Sequence, residues 1–317
     1  MKILSVDDYP IIQGSLGQVF STMNDHVMVA AASAQDALTL LEQEDDPFDC
    51  FFLDIRMPGM DGTALAGLIR KIKKYEAAPI LMLTAMSETR YIDGAFAAGA
   101  TDYVSKPFDL KELRARVNVI HQLVQSPKTT SKQAANNANE QLDFAAQIDL
   151  HDIDRVISMD AMKNYLAQLS RTALFGSTVF AVTLRNPASY FDRLSADNVR
   201  LLLADVAGVI SDTLSYRHAL ISYAGNGTYV CVTESRGRPD TAAIADRINL
   251  NLNRAGIIPD GDTVMPPRVS VGVAVRLVWK SGEQILGSLV TAQTSAEKAA
   301  AEHERLNYDH FDMEEIA

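Results

Sequence analysis

Cysteine is scarce in this chain: Cys50 and Cys231 are the only two, and both fall in apolar runs that read as strands. They read as buried small side chains rather than a disulfide framework, and they suit a reducing, cytoplasmic setting. Long apolar runs are missing as well. No stretch approaches the ~18 residues that a bilayer crossing needs, and the opening MKILSVDDYP turns acidic too soon for a secretory leader. Basic residues are outnumbered, 29 Lys and Arg against 40 Asp and Glu, for a formal net charge of −11. That balance argues against broad, salt-driven binding to nucleic acid or to an anionic membrane surface. No helix-turn-helix with a basic recognition helix is visible either, which disfavours a DNA-binding output.

What is present is a soluble-protein composition, 47% hydrophobic and 22% charged, in 317 residues, more than one ordinary core accommodates. The first 125 residues alternate short apolar strands (KILSV, VMVAAA, CFFLD, ILMLT, YVSK) with amphipathic stretches such as AQDALTLLEQE and GTALAGLIRKIKK. Five strands, each followed by a helix, predict an α/β fold with a doubly wound parallel sheet over 1–125. The polar stretch KTTSKQAANNANEQLDFAAQ lacks sharp periodicity, so 126–153 is expected to be a linker, partly helical toward its end. From 154 to 317 the order reads helix (159–174), strand (178–185), helix (196–215), hairpin (218–234), helix (240–255), strand (268–278), helix (283–303) and a short strand near LNYDHF. This is an α+β module with a largely antiparallel sheet.

In a parallel sheet, ligands bind outside the carboxyl ends of the strands. Here those ends deliver Asp7-Asp8 from the first strand, Asp54 from the third, Thr84 from the fourth and Lys106-Pro107 from the fifth. Gathered carboxylates repel one another, and a hard divalent cation such as Mg²⁺ relieves the repulsion. A carboxylate beside such a cation can attack a phosphoryl donor, with an ammonium and a hydroxyl holding the transferred oxygens. Singly, each residue has a plainer reading: a helix cap for Asp7-Asp8, a strand end for Thr84, a surface charge for Lys106, a core ring for Tyr103.

The pieces SVDDYP, FFLDIRMPGMDG, LMLTA and DYVSKPF, in this order and spacing, strongly resemble the receiver domain of two-component response regulators. The resemblance implies that Asp54 is the phosphoacceptor and that Asp7, Asp8 and the backbone carbonyl of Arg56 join it around Mg²⁺. It implies Thr84 as the switch hydroxyl, Tyr103 as the switch aromatic, Lys106 as the lysine that pairs with the phosphoryl oxygens, and a cis peptide before Pro107. Phosphorylation is then expected to alter the face built from 87–125, which in receivers commonly pairs with itself. Asp102 and Arg116 stand where cross-dimer ion pairs occur, or else form a simple solvated pair.

The stretch SYAGNGTYVCV, 222–232, signals a hairpin, because Asn-Gly suits the positive φ of a type I′ turn. With RVSVGVAV, LLLADVAGVIS and AQTSAEKAAAEHERLNYDHF, it resembles the diguanylate cyclase, or GGDEF, domain. The alignment sets Gly225, Asn226, Gly227, Thr228 and Tyr229 on Gly-Gly-Asp-Glu-Phe. The family's metal carboxylates are then missing: the motif offers Gly227 and Thr228, and the first strand ends in Arg185 and Asn186. No Asp or Glu occurs between Ala161 and Phe191 or between Thr213 and Thr233. The product-inhibition motif is absent too, its positions holding Tyr216 and Ala219. Arg185 could grip a phosphate, though a surface charge is the plainer reading; His218 reads as a solvated strand start and Trp279 as strand-end packing.

Together these readings predict a cytoplasmic response regulator that accepts a phosphoryl group from a sensor histidine kinase or phosphotransfer protein. It would signal, as a homodimer, through a catalytically inactive GGDEF-like module that binds a downstream protein, without nucleic acid or membrane. The rival readings are a nucleotide cyclase with atypical metal ligands and a module that binds a nucleotide without turning it over.

Overall fold

The run CFFLD at 50–54 is apolar without alternation because both of its faces are covered. In the computed structural model, which describes residues 1–317 apart from 24–25, 86–91, 126–142, 151–152, 170, 217–218, 235–236, 258–264, 279, 281 and 315–317, it forms the third strand of a parallel sheet. The expected features at His218 and Trp279 lie outside the described residues. The chain divides into two compact units, Met1–Gln133 and Ala134–Ala317.

The first unit alternates β1 (Lys2–Val6), α1 (Pro10–Ser21), β2 (Val27–Ala31), α2 (Ala34–Gln43), β3 (Cys50–Asp54), α3 (Gly62–Lys71), β4 (Ile80–Ala85), α4 (Ile92–Ala97), β5 (Asp102–Lys106) and α5 (Leu110–Gln125). The sheet order is β2-β1-β3-β4-β5, every pairing parallel. Side chains alternate across each strand. Leu4, Phe51, Leu53 and Met82 meet Ala37 and Leu41 of α2 and Leu65 and Ile69 of α3. Ile3, Phe52, Leu81 and Val104 meet Leu16 and Phe20 of α1 and Leu113 and Val117 of α5. Phe51 and Phe52 are fully buried on opposite faces, and each such ring is worth about 2–3 kcal/mol over exposure. Local signals start the helices: Pro10 opens α1, and the side chains of Ser33 and Asp61 accept the Asp36 and Ala64 amides.

The second unit comprises α6 (Met159–Gln168), α7 (Arg171–Gly176), β6 (Ser177–Leu184), α8 (Pro187–Arg193), α9 (Ala196–Thr213), β7 (Ala219–Gly225), β8 (Thr228–Glu234), α10 (Thr241–Ala255), β9 (Val269–Val271), β10 (Val275–Arg276) and α11 (Glu283–Glu314). Its sheet runs β10-β6-β8-β7, with β9 also on β6, and all of these pairs are antiparallel. Phe180, Val182, Tyr229 and Cys231 face Leu202, Val206 and Ile210 of α9 and Ile248 of α10, while α11 packs along β6 and β8 and α6 along β7. Both cysteines are buried in strands.

The structure departs from the sequence expectations in five places. The short strand expected near LNYDHF is helix, since α11 runs on through Glu314: its Ala- and Glu-rich stretch contains no Gly or Pro to stop it. The strand expected over 268–278 is broken at Gly272–Ala274, where a Cβ on Gly272 would lie 2.6 Å from the Ala296 amide nitrogen of α11 and where Val273 donates to Ser295 Oγ. The helix expected over 159–174 is two segments, parted where Leu169 turns extended. A further helix, α8, starts at Pro187 behind a left-handed Asn186. Residues 143–150, expected within the linker, belong to the second unit, whose core takes in Ile148 and Leu150.

Gly62 shows how tightly the first sheet's edge is built: a Cβ there would fall 2.0 Å from the Asp54 carbonyl oxygen. Gly62→Ala is therefore expected to destabilise the first unit by about 2 kcal/mol or more. Urea unfolding followed by circular dichroism measures it, and an unchanged midpoint would contradict the close approach.

Candidate functional site

The carboxyl ends of β1, β3 and β5 converge because β3 pairs with both β1 and β4, and β4 with β5, in parallel register. Asp7 and Asp54 are buried, and Asp8 is half-buried beside them. One oxygen from each of these three aspartates lies within 4.8 Å of the others. Lys106 reaches over them: its Nζ donates to Asp7 Oδ2 at 2.6 Å and to Asp54 Oδ1 at 2.5 Å. Burial raises the Asp54 carboxyl above the ordinary aspartate range; the hydrogen bond and charge of Lys106 pull it back, and Asp7 and Asp8 push it up again.

Thr84 lies one residue from the end of β4, buried, its hydroxyl donating to the Ala85 carbonyl at 3.2 Å. Tyr103 on β5 is half-buried, edge-on to Phe96 with ring centres 6.3 Å apart. Arg56 follows two residues after Asp54 and its side chain is exposed. The Lys106–Pro107 peptide is cis. Asp102 and Arg116 pair within one chain at 2.5 Å, and part of the expected face over 87–125 (residues 87–91) lies outside the described residues.

Oxygen donors of this kind suit a hard cation such as Mg²⁺. Among the described residues, Asp8 Oδ1 is shielded from solvent with no hydrogen-bond partner, the mark of a ligand-ready oxygen. Two residues brace the site: Gln13, which pattern reading passed over, and Gly62, which it placed in a motif without a role. Gln13 of α1 donates through Nε2 to the carbonyls of Ser5, Asp7 and Ala31, pinning the backbone under the acids. Gly62 lets the start of α3 approach the Asp54 backbone. An inward-facing glutamine carries no signature in a single sequence, whereas Gly62 closes the FFLDIRMPGMDG stretch.

The family model for the response regulator receiver domain matches residues 3–118. Residues 3–118 are a receiver domain. Protein PetR of Rhodobacter capsulatus is 42% identical over 118 residues, which are 37% of this chain and 47% of that protein. The probable transcriptional regulator ycf27 of Cyanophora paradoxa is 36% identical over 143 residues, 45% of this chain and 57% of that one. The chain thus spans about half the length of these curated relatives. A solved structure of a putative response regulator from Chloroflexus aurantiacus is 34% identical, covers 38% of this chain and 95% of its own, and has a TM-score of 0.36.

Outside the receiver, the β7–β8 hairpin forms as expected. Asn226 and Gly227 have φ of 53° and 68°, as a type I′ turn requires. The turn's groups are engaged internally: Gly227 N donates to Tyr223 Oη at 3.0 Å, and Thr228 and Thr183 share a hydroxyl hydrogen bond of 3.0 Å. Tyr229 is fully buried and donates to the Leu203 carbonyl at 2.9 Å. A Cβ at Gly227 would lie 2.6 Å from Pro187 Cβ. Arg185 donates from Nε to Ser270 Oγ at 3.1 Å; burial first, then the neighbouring charge of Arg268, lowers its pKa. Asn186 N donates to Glu304 of α11.

The raised Asp54 carboxyl has a signed consequence. Its proton is held more tightly in the folded receiver than in the unfolded chain. Ionised Asp54 therefore opposes folding above that raised pKa, and the penalty fades as pH falls through it. In metal-free buffer, Asp54→Asn is expected to stabilise the receiver at pH 7, with the gain shrinking toward acid pH. Thermal unfolding across pH measures this. A gain that grows as pH falls would reverse the assignment.

Proposed function

We propose that this chain is a two-component response regulator: Asp54 accepts a phosphoryl group, and the second unit is a non-catalytic, GGDEF-like module that passes the signal by binding a protein. The observation that carries the first half is the Lys106 ammonium spanning Asp7 and Asp54 beside the unpartnered oxygen of Asp8. Asp7, Asp8, Asp54 and the Arg56 carbonyl would hold Mg²⁺, which when bound offsets charge on the phosphoryl oxygens. Asp54 supplies the attacking carboxylate oxygen, Lys106 an ammonium for the transferred group, and Thr84 a hydroxyl that can turn from the Ala85 carbonyl toward it. Tyr103, on the strand beside Thr84, is the aromatic that would follow. A sensor histidine kinase or a phosphotransfer protein would supply the phosphoryl group. Self-association through the face containing Tyr103 and Arg116 would follow its arrival.

For the second unit, the hairpin between strands of an antiparallel sheet and the helices around it support the GGDEF-like reading. A catalytic role is disfavoured by chemistry at the turn. Two-metal phosphoryl transfer needs carboxylates, whereas Gly227 has no side chain, Thr228 is buried against Thr183, and β6 is followed by a cation, Arg185. Asp192 and Glu234 are the acids a cyclase with atypical ligands would have to recruit. Glu234 ends β8, seven residues from the turn glycine, and Asp192 is exposed on α8. The transcriptional role in a relative's name is said of that protein, and the matched family model covers residues 3–118, outside the second unit.

Acetyl phosphate with Mg²⁺ is expected to label wild type at Asp54 and to leave Asp54→Ala unlabelled, while Asp8→Ala weakens Mg²⁺ binding, read as loss of the Mg²⁺-induced rise in melting temperature. Label persisting in Asp54→Ala would overturn the acceptor assignment. With GTP and Mg²⁺ or Mn²⁺, the beryllofluoride-treated protein is expected to form no cyclic dinucleotide. Product above a heat-killed control would favour the cyclase reading.

A further inference from the structure

Gly225 is unexplained by the turn it precedes. A type I′ turn needs positive φ only at its two central residues, here Asn226 and Gly227, yet Gly225, the last residue of β7, has φ of 94°. What stands against it is the chain itself. A Cβ at 225 would lie 2.5 Å from the Ala145 carbonyl oxygen and 3.4 Å from that of Ala146.

Residues 143–150 run alongside as a strap, a turn over 144–146 followed by an irregular stretch, with alternating exposure. Phe144 and Ala146 are half-buried and Ile148 and Leu150 buried, while Asp143, Ala145, Gln147 and Asp149 are exposed. Asp143 tightens its start, its carboxylate accepting the Ala145 amide and its carbonyl the Ala146 amide, both at 3.0 Å. This bend presents the Phe144 carbonyl to the hairpin, where it accepts the Asn226 amide at 2.8 Å. The Phe144 ring stands edge-on to Phe191 of α8 at 5.0 Å. The path continues to β7, where Ile221 donates to the Arg155 carbonyl and accepts from the Ile157 amide.

We propose that the β7–β8 turn is the docking site of the chain's own segment 143–146, and that this strap releases as a unit while the hairpin stays paired. The proposal does not rest on the signalling role above. Among the described residues, the Asn226–Phe144 hydrogen bond, the half-buried Phe144 ring against Phe191 and the margin of the core, and the close approach to Gly225 hold 143–146 at the turn, whereas Ile148 and Leu150 are buried within the core. A segment held at the margin of a core opens locally, below the free energy of global unfolding. A ligand for this backbone would have to displace the strap first. A signal arriving along the chain from residues before 143 would meet the second unit at the same place.

Hydrogen exchange on the full chain tests this. In Phe144→Ala the ring contact is lost and the backbone is spared. The Asn226 amide and the 143–147 peptide are then expected to exchange about tenfold faster, with the β8 amides of Thr228–Glu234 within about twofold of wild type. Gly225→Ala should have the same effect, larger; should that variant not fold, Phe144→Ala alone decides. An unchanged Asn226 rate in Phe144→Ala would overturn docking. An equal acceleration across β8 would overturn independent release.

Discussion

Three strands of the receiver end in groups that would not stay together unaided, and the Lys106 ammonium is what reconciles them. It lies between a carboxylate from just after β1 and another from the end of β3, with Asp8 close by. Unit charges about 4 Å apart interact by roughly 4 kcal/mol at an effective dielectric near 20, so buried like charges need a counterion. The parallel register brings the strand ends together, Gln13 fixes the backbone below, and the missing side chain at Gly62 lets α3 start directly over Asp54. The balance is deliberately short of complete in a chemical sense: Asp8 keeps an oxygen with no partner, which leaves the site able to take up a cation.

The hairpin of the second unit is arranged the opposite way. Its amides go to Tyr223 and to the Phe144 carbonyl, its threonine hydroxyl to Thr183, and its motif aromatic to the core. Burial lifts Tyr223 to about 12 and Tyr229 well above the usual phenol range. The turn's polar groups are taken up in internal hydrogen bonds. The two units thus contrast: an open acid oxygen at the strand ends of one, an internally satisfied turn in the other.

Much of the first unit was legible because its signals are local and repeated: apolar strands ending in Asp, Thr and Lys, at the spacing a doubly wound sheet imposes. The hairpin was legible for the same reason, since Asn-Gly has few uses beyond a tight turn. What escaped depended on contacts between distant segments. α11 carries on through LNYDHF behind the Ala- and Glu-rich stretch AEKAAAEHER, with no Gly or Pro to end it, though the aromatic residues there look β-like. The break at Gly272 exists because α11 crosses there, and nothing near 272 announces a helix from residue 296. Ile148 and Leu150 were read with the linker because they are two apolar residues amid polar ones, though alternation over 144–150 was the available sign. Gln13 resembles any helical glutamine until its three carbonyl partners are seen.

The Asp102–Arg116 pair bears on how two receivers could meet. Both groups are mostly buried and already matched within one chain. Exchanging this intramolecular partner for the equivalent group of a second molecule trades one ion pair for another of the same kind, so the electrostatic gain is close to nil. The pair would then act as a latch on orientation, setting which geometries are permitted. The driving force for any such assembly would then have to come from contacts other than this pair.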